Sequence, residues 1–331
     1  MHPLAEGIKN RNLRALARAI TYVENDHPEK LALMSDLYRL RKGAYYIGIT
    51  GAPGAGKSTL VNRLIEHLRA AHRSVAVLAV DSTSPFSGGA ILGDRVRMAT
   101  HFTDPDVYIR SMGTRGSLGG LSRSAKDAVR ILDAFGFDVI LIETVGVGQS
   151  ELDIMEIAET TAVVVTPGTG DVVQVFKAGV MEIADVFVIN KADLPGAGPL
   201  HGQINAMLDL VRAAGGWRPP VVRVSATKGE GLAELWEACC NHRQYLSDTG
   251  SGVHRRRIIR RKEILEIVRD EALRRLEERF LRELDNILET EDLDPYSGAA
   301  KLMARWSEAG GRCFPEQPDE RAAADREAPD S

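Results

Sequence analysis

The chain has 331 residues, of which 44% are hydrophobic and 27% are charged, and its formal net charge is −4. This length allows one large domain with appendages or two domains, and the composition is that of an ordinary globular protein. The slightly acidic balance excludes a general attraction to nucleic acid or to an anionic membrane surface.

Signals that would direct the chain to a membrane or out of the cell are not visible. No apolar run approaches the ~18 residues that span a bilayer, and the first residues lack the basic and then apolar pattern of a secretory signal. Cys239 and Cys240 are adjacent and Cys313 is distant, so neither a disulfide framework nor a zinc site is indicated. We therefore expect a cytoplasmic protein with no membrane and no nucleic-acid partner.

Residues 1–42 are predicted to form a helical extension that precedes the main domain. Two sets of apolar residues recur there at helical spacing. The sets are Leu13, Ala17, Ile20 and Val23, and then Leu31, Met34, Leu37 and Leu40. We expect a pair of helices that caps one edge of a sheet, and a surface that docks a partner protein is the alternative. Capping is favoured because apolar stripes usually face a core.

The first strong motif is G-x-x-x-x-G-K-[ST] at residues 51–58, the phosphate-binding P-loop. Residues 44–50 before it form a short apolar run that predicts a buried strand. After it, Leu60, Leu64 and Leu68 share one helical stripe. A strand, a glycine-rich loop and a helix are the context that the motif requires, which disfavours the alternative of a chance glycine-rich turn.

The residue types of the P-loop suit phosphate chemistry. Glycines let successive backbone N–H groups wrap an anion at the positive end of a helix dipole. Lys57 brings a full charge to the β- and γ-phosphates, and the Ser58 hydroxyl can ligate Mg²⁺. The residues predicted to bind the nucleotide here are Gly54, Ala55, Gly56, Lys57, Ser58 and Thr59. We expect the chain to bind a nucleoside triphosphate.

Two further predicted strands end in carboxylates. The strand at 74–80 ends at Asp81, and the polar, glycine-rich residues 82–98 after it are predicted to form a switch loop beside the site. The strand at 137–142 ends at Glu143, a position that holds Mg²⁺ directly or through water. Gly146 would let a backbone N–H approach the γ-phosphate.

The strand predicted at 185–189 ends in the motif N-K-x-D, formed by Asn190, Lys191 and Asp193. Its Asp accepts hydrogen bonds from the guanine N1–H and exocyclic amine, which adenine does not present in that arrangement, and its Asn and Lys hold the loops in place. A further strand at 221–224 precedes the loop that GTPases carry against the guanine. That loop is Ser225, Ala226 and Thr227. We expect guanine specificity, with adenine specificity as the disfavoured alternative.

Strands alternate with helices between residues 44 and 246. We predict an α/β fold with a mostly parallel P-loop NTPase sheet, covered by helices on both faces and carrying helical N- and C-terminal extensions. The expected divisions are a helical extension at 1–42, a GTPase domain at 43–246, a linker at 247–252, a helical dimerisation arm at 254–310 and a disordered tail at 315–331.

Residues 255–289 are predicted to form one long amphipathic helix. Its apolar stripe contains Leu265, Val268, Ala272, Leu276, Phe280, Leu284 and Ile287. Six basic residues lie near its start, between Arg255 and Lys262, and nucleic-acid binding is one reading of them. A solvated helix face balanced by later Glu residues is favoured. Because a long helix with a narrow apolar seam usually pairs with another helix, we expect a homodimer.

Three blocks of sequence are more specific than the motifs that all P-loop GTPases share. They are D-x-x-S-x-x-x-G-G-A-I-L-G-D-R-x-R-M at 81–98, T-R-G-S-L-G-G-L at 114–121 and E-T-V-G-V-G-Q-S-E at 143–151. Together they resemble the MeaB/ArgK family of P-loop GTPases, of the SIMIBI class, which includes the human methylmalonic aciduria type A protein. The resemblance covers residues 10 to 290. It implies a G-protein chaperone that gates adenosylcobalamin delivery to an acyl-CoA mutase and protects that mutase.

The resemblance also implies roles for single residues. The implied Mg²⁺ ligands are Ser58, Asp81, Asp94 and Glu143. Arg97 matches a switch-region arginine, and Lys57, Asp94 and Arg97 are the expected catalytic residues. Residues 168–177 match switch III, the segment that relays nucleotide state to the mutase. Two departures are Ser82, where a Pro is common, and the unusually apolar residues 172–176.

One expectation about the hydrolysis rate does not depend on the resemblance. In Ras-like GTPases a Gln directly after the Gly of the corresponding loop orients the attacking water. Here that position is Val147, which has no group to do so. We expect slow intrinsic hydrolysis that a partner or a dimer accelerates.

The sequence therefore predicts an Mg²⁺-dependent GTPase that holds GTP or GDP and serves an adenosylcobalamin-dependent acyl-CoA mutase, methylmalonyl-CoA mutase or a relative. Two alternatives stay open. One is a GTPase for metal insertion into a nickel or cobalt enzyme, although the eight His are scattered. The other is a transport-linked phosphotransferase, although N-K-x-D and the switch loops are typical of a timer.

Overall fold

The computed structural model describes residues 1–81, 99–113, 123–144, 153–168, 180–210, 216–290 and 293–308. The chain divides into two compact units, Met1–Val253 and a second that begins at His254.

The first unit is built around a seven-stranded sheet in the order β3-β2-β4-β1-β5-β6-β7. Its strands are β1 Tyr45–Gly51, β2 Val75–Asp81, β3 Val107–Gly113, β4 Val139–Thr144, β5 Thr160–Val165, β6 Val186–Ile189 and β7 Val221–Arg223. Every pairing is parallel. Strand β1 lies in the centre, between β4 and β5. The parallel α/β sheet predicted from the sequence is confirmed.

Helices connect and cover the strands of this unit. They are α1 Pro3–Lys9, α2 Leu13–Glu24, α3 Lys30–Arg39, α4 Lys57–Ala70, α5 Arg123–Phe135, α6 Val180–Ile183, α7 Ala197–Leu210 and α8 Leu232–Asp248. Two short 3₁₀ turns lie at Ala99–His101 and Ile154–Glu156.

Each face of the sheet has its own apolar core. Successive side chains of a strand point to opposite faces, so Val139 and Leu141 of β4 lie in one core while Ile140 and Ile142 lie in the other. Helices α4 and α8 fill the first core, and α5 and α7 contribute to the second. Burial on both faces explains why these strands read as continuous apolar runs.

The N-terminal segment forms three helices rather than the expected pair. They pack on α5, and Glu24 of α2 forms an ion pair with Arg110 of the edge strand β3. The predicted apolar stripes were partly misplaced: Leu16 is fully buried, whereas Leu13 and Leu31 are 48% and 49% exposed. This packing favours the capping interpretation of the segment.

A single carboxylate of α5 holds the backbone just before the central strand β1 in place. Asp133 Oδ1 accepts hydrogen bonds from three successive backbone N–H groups, those of Lys42, Gly43 and Ala44. Its other oxygen accepts a 2.6 Å hydrogen bond from the Tyr46 hydroxyl. Strand β1 therefore starts from a fixed point before it reaches the P-loop.

The second unit consists mainly of α9, Ser251–Thr290, a helix of 40 residues, and α10, Pro295–Glu308. The linker expected at 247–252 is wrong, because α8 extends to Asp248 and only Thr249 and Gly250 separate the two helices. The long C-terminal helix itself is confirmed. Large apolar side chains of α9 are exposed, among them Leu265 at 61% and Val268 at 42%.

Among the residues that the structure describes, no helix combines the length and the apolar character needed to cross a membrane. The tail at 315–331 lies outside the described residues.

Candidate functional site

The P-loop joins the central strand β1 to α4, and its glycines are required by conformation and by space. Gly51 and Gly56 have φ values of +139° and +84°. A Cβ on Gly51 would lie 2.1 Å from the Val164 carbonyl oxygen, and one on Gly56 would lie 2.5 Å from Asn190 Nδ2. Side chains at these positions would therefore distort the loop.

Lys57 is the first residue of α4 and is only 7% exposed. Its Nζ donates hydrogen bonds to the carbonyl oxygens of Gly51 at 2.6 Å and Ala52 at 3.0 Å. The ammonium group is thus held at the P-loop backbone, where a phosphate could accept a hydrogen bond from it. Gly56 caps α4 without a side chain, so the backbone of the first turn can donate to an anion.

A hydroxyl and a carboxylate meet beside this loop. Ser58 Oγ donates a 2.7 Å hydrogen bond to Glu143 Oε1, and the two residues are 8% and 2% exposed. Next to them, Thr144 Oγ1 donates to Thr50 Oγ1 at 2.9 Å, which ties the ends of β4 and β1 together. Hard oxygen donors of this kind suit Mg²⁺.

Asp81 ends β2, the strand adjacent to β4. Ala79 of β2 lies opposite Glu143, so the backbones of both expected metal-binding residues lie at the same edge of the sheet. The side chain of Asp81 lies outside the described residues, as do Asp94, Arg97 and Gly146. The roles expected for these four residues stay predictions.

Other predicted features, among them the switch loop at 82–98, also fall outside the described part of the chain. They include Val147, the block at 114–121 and the switch III residues 169–177. Gly168, at the start of switch III, has a φ of +86°.

Asn190 connects three parts of the site. It follows β6, is 2% exposed, and its Nδ2 donates to the carbonyl oxygens of Ala55 at 2.9 Å and Gly56 at 3.4 Å. Its Oδ1 accepts a 3.2 Å hydrogen bond from the Ala226 N–H. One amide therefore links the end of β6 to the P-loop and to the loop at 225–227.

Lys191 adds a second link, since its Nζ donates to the Gly54 carbonyl oxygen at 3.0 Å. Its backbone has a φ of +55°, which is uncommon for a residue other than glycine. The structure thus brings the N-K-x-D motif into contact with the phosphate-binding loop.

Asp193 points toward solvent, as a base-reading carboxylate must. Ser225 Oγ donates a 2.7 Å hydrogen bond to its Oδ1, and this bond lowers the pKa of the Asp193 carboxyl below its usual range. The carboxylate is therefore ionised at neutral pH and acts only as an acceptor. That is the property needed to bind the N1–H and amine of guanine.

The loop at 225–227 has a defined backbone. Ser225 forms an isolated antiparallel bridge with Glu230, and the Ala192 N–H donates to the Val224 carbonyl oxygen at 3.0 Å. Gly231 closes the turn, where a Cβ would lie 2.1 Å from the Arg223 carbonyl oxygen.

Sequence reasoning missed Arg63 of α4. Its guanidinium donates to the carbonyl oxygens of Ala226 at 3.1 Å and Thr227 at 3.4 Å, and it pairs with Glu66 at 2.7 Å. The only sequence signal was the i, i+3 spacing of Arg63 and Glu66, which many solvated helices share.

A family model described as methylmalonyl Co-A mutase-associated GTPase MeaB matches residues 16–280. A GTPase of Pyrococcus horikoshii is 47% identical over 308 residues, which cover 91% of this chain and 97% of the relative. The mouse methylmalonic aciduria type A homolog, mitochondrial, is 37% identical over 252 residues, 71% of this chain and 61% of that protein. The Escherichia coli GTPase ArgK is 36% identical over 310 residues, 88% of each chain.

Among solved structures, one described as LAO/AO transport system kinase superposes with a TM-score of 0.67 at 26% identity. The match covers 92% of this chain and 96% of that chain.

Proposed function

This chain belongs to the MeaB family of GTPases, and from that premise we propose that it is a GTP-dependent chaperone of an adenosylcobalamin-dependent acyl-CoA mutase. The observation that carries the mutase assignment is the family description, with the match spanning residues 16–280. The name of the mouse relative, which refers to methylmalonic aciduria, supports it. The bound guanine nucleotide would report whether the mutase is ready to receive its cofactor.

The proposed nucleotide site extends from the P-loop to the N-K-x-D motif. Phosphates would lie against the backbone of residues 54–59 and the Lys57 ammonium, and the base would lie between Asp193 and the loop at 225–227. The links made by Asn190 and Lys191 support this proposal, because they hold both ends of the site in one arrangement. Segments that are already aligned reduce the conformational cost of binding.

Mg²⁺ fits the oxygen donors at the phosphate end. Ser58 and Glu143 would hold it, directly or through water, with Asp81 and Asp94 as further proposed ligands. When bound, the ion would neutralise charge on the phosphate oxygens. The Lys57 ammonium would stabilise the same charge from the P-loop side. Val147 offers no group to orient the attacking water, so we propose that the mutase supplies or positions what is missing.

We also propose that the second unit is the arm of a homodimer. The exposed apolar side chains of α9, such as Leu265 and Val268, support this proposal because a solvated helix seldom carries so many of them. A second copy of the same helix offers a matching seam.

The test is co-purification of the mutase in defined nucleotide states. Tagged protein is loaded with GDP or with a non-hydrolysable GTP analogue and mixed with purified methylmalonyl-CoA mutase and its relatives. We expect one of these mutases to be captured, and we expect the captured amount to differ between the GDP-loaded and the GTP-analogue-loaded protein. A Lys57→Ala variant, which has lost the P-loop ammonium, is the matched control and should lose that difference. Failure to capture any such mutase in either state would contradict the proposal.

A further inference from the structure

We propose that Arg63 is a positioning residue for the guanine base. It lies on the helix that begins at the P-loop, and it holds the loop at 225–227 in the orientation that favours guanine over adenine. This inference rests on the proposed GTP site and adds to it a residue outside every motif of the sequence.

The contacts of Arg63 are directed at the backbone of the loop. Its Nε donates to the Ala226 carbonyl oxygen at 3.1 Å, and its Nη2 donates to the Thr227 carbonyl oxygen at 3.4 Å. Two neighbouring carbonyl groups are therefore bound by one planar guanidinium. The rigid shape of this group fixes their relative orientation better than a single ammonium would.

The guanidinium is itself held in place by its own helix. Glu66, one turn further along α4, accepts a 2.7 Å hydrogen bond from Arg63 Nη1. Asn62 Nδ2 donates to the other oxygen of Glu66 at 3.2 Å. These contacts restrict the rotamers of Arg63, so that less conformational entropy is lost when it binds the loop.

Both polar groups of the Ala226 backbone are thus bound by side chains from different elements. Its N–H donates to Asn190 Oδ1 at 3.2 Å, and its carbonyl oxygen accepts from Arg63. Asn190 follows β6, whereas Arg63 belongs to α4. The Ala226 carbonyl and the Thr227 N–H belong to the same planar peptide group, so the hydrogen bond from Arg63 sets the direction in which the Thr227 N–H points.

That direction matters for the choice of base. Guanine carries an oxygen acceptor at C6, where adenine carries an amino group, so backbone N–H donors favour guanine and are repelled by adenine. A loop held in one orientation keeps its N–H donors directed at the base and so maintains the preference for guanine over adenine. A released loop can rotate its donors away, which weakens guanine binding and removes the penalty against adenine.

The expected magnitude is moderate. The Arg63 side chain is 37% exposed and water can replace part of its hydrogen bonding, so we expect Arg63→Ala to weaken GDP binding about threefold to tenfold. The affinity for ADP should stay the same or rise. The turnover number at saturating GTP should change little while the KM rises, because the residue acts through the base.

The chain offers a matched control in Arg69, on the last turn of the same helix. Its guanidinium pairs with Asp104 at 2.8 Å and Asp106 at 3.1 Å, outside the proposed nucleotide site. Arg69→Ala removes a comparable set of contacts from α4. It should alter the thermal midpoint at least as much as Arg63→Ala and leave the ratio of GDP to ADP affinity at the parent value.

The experiment measures dissociation constants of GDP and ADP by calorimetry or competition for the full-length parent, Arg63→Ala, Arg63→Lys and Arg69→Ala. We expect the GDP to ADP selectivity to fall in Arg63→Ala and to recover in part in Arg63→Lys, which keeps a cationic donor group without the planar shape of the guanidinium. Because Arg63→Lys is the milder change, it keeps the test valid if Arg63→Ala folds poorly.

If the parent protein prefers GDP to ADP, either of two results would overturn the inference. One is unchanged selectivity in a folded Arg63→Ala variant, and the other is an equal loss for GDP and ADP, which would place the effect at the phosphates. A parent that binds GDP and ADP equally would instead refute the proposed guanine site itself.

Discussion

Replacing Asn190 with alanine tests whether one amide links the two ends of the nucleotide site. The substitution removes the 2.9 Å hydrogen bond to the Ala55 carbonyl oxygen and the 3.2 Å bond from the Ala226 N–H. Both partners lie in loops that would contact the nucleotide, and the Asn190 side chain is almost completely buried. The change therefore leaves these two backbone groups without the partner they have now, and it also removes the weaker 3.4 Å contact to the Gly56 carbonyl oxygen.

The magnitude follows from these two bonds. A net loss of about 1 kcal/mol for each hydrogen bond, with part of the desolvation cost of the groups left behind, gives about 2–4 kcal/mol of folding free energy. A water molecule that enters the space would bring the loss toward the lower end. We expect nucleotide affinity to fall at least about tenfold as well, which corresponds to about 1.4 kcal/mol, because one amide no longer aligns the P-loop with the loop at 225–227.

Urea denaturation of the nucleotide-free protein and GDP calorimetry measure the two effects separately. Asn205→Ala is the control, because Asn205 bonds to the His201 carbonyl oxygen and to Arg218 away from the site. We expect it to change the free energy of unfolding by no more than about 0.5 kcal/mol. An Asn190→Ala variant that resembles this control in both stability and GDP affinity would refute the linking role.

Three further changes test other parts of the account. Asp193→Asn should shift the preference from GTP toward xanthosine triphosphate, because the amide presents a donor to the base. Competitive nucleotide binding checks this, and an unchanged preference would remove the guanine assignment. Glu143→Ala should reduce Mg²⁺-dependent hydrolysis about 10- to 100-fold while GDP binding in EDTA changes little; hydrolysis at the parent rate would show that the carboxylate is not part of the metal site. Truncation after Val253 should give a monomer that still binds GDP; a truncated protein that remains dimeric in light scattering would exclude the C-terminal arm as the dimer contact.

The sheet could be predicted from the sequence because its inner strands, such as β4, β5 and β6, are buried on both faces. Such strands read as unbroken apolar runs, and two of them lead into polar residues of the predicted site, Glu143 in β4 and Asn190 directly after β6. The P-loop was equally readable, since its glycines are demanded by backbone geometry that no other residue adopts easily.

Helix faces were harder to predict, because the direction of a helix depends on what it packs against. Leu13 and Leu31 fit an apolar stripe by spacing, yet they face outward while Leu16 and Leu33 face α5 and its neighbours. The expected linker at 247–252 failed for a related reason. Its Ser, Asp, Thr and Gly residues suggest a loop, but two residues suffice for the break between α8 and α9.

Contacts between distant segments carry no local signal at all. Gly48 of β1 is an example: a Cβ there would lie 2.6 Å from Ile154 Cδ1, so the glycine exists to let the turn Ile154–Glu156 pack on the strand. Arg63 is another, because its partners lie 163 and 164 positions away in the sequence. Long-range pairing of this kind is visible only in the folded chain.

The most direct test of the central claim is steady-state GTP hydrolysis with and without the mutase that co-purifies with this protein. We expect the mutase to raise the rate at least about tenfold, which requires only about 1.4 kcal/mol of extra transition-state stabilisation. The Lys57→Ala variant, assayed in the same way, sets the background. Equal rates with and without the mutase, under conditions where binding is demonstrated, would contradict a GTPase cycle coupled to the mutase.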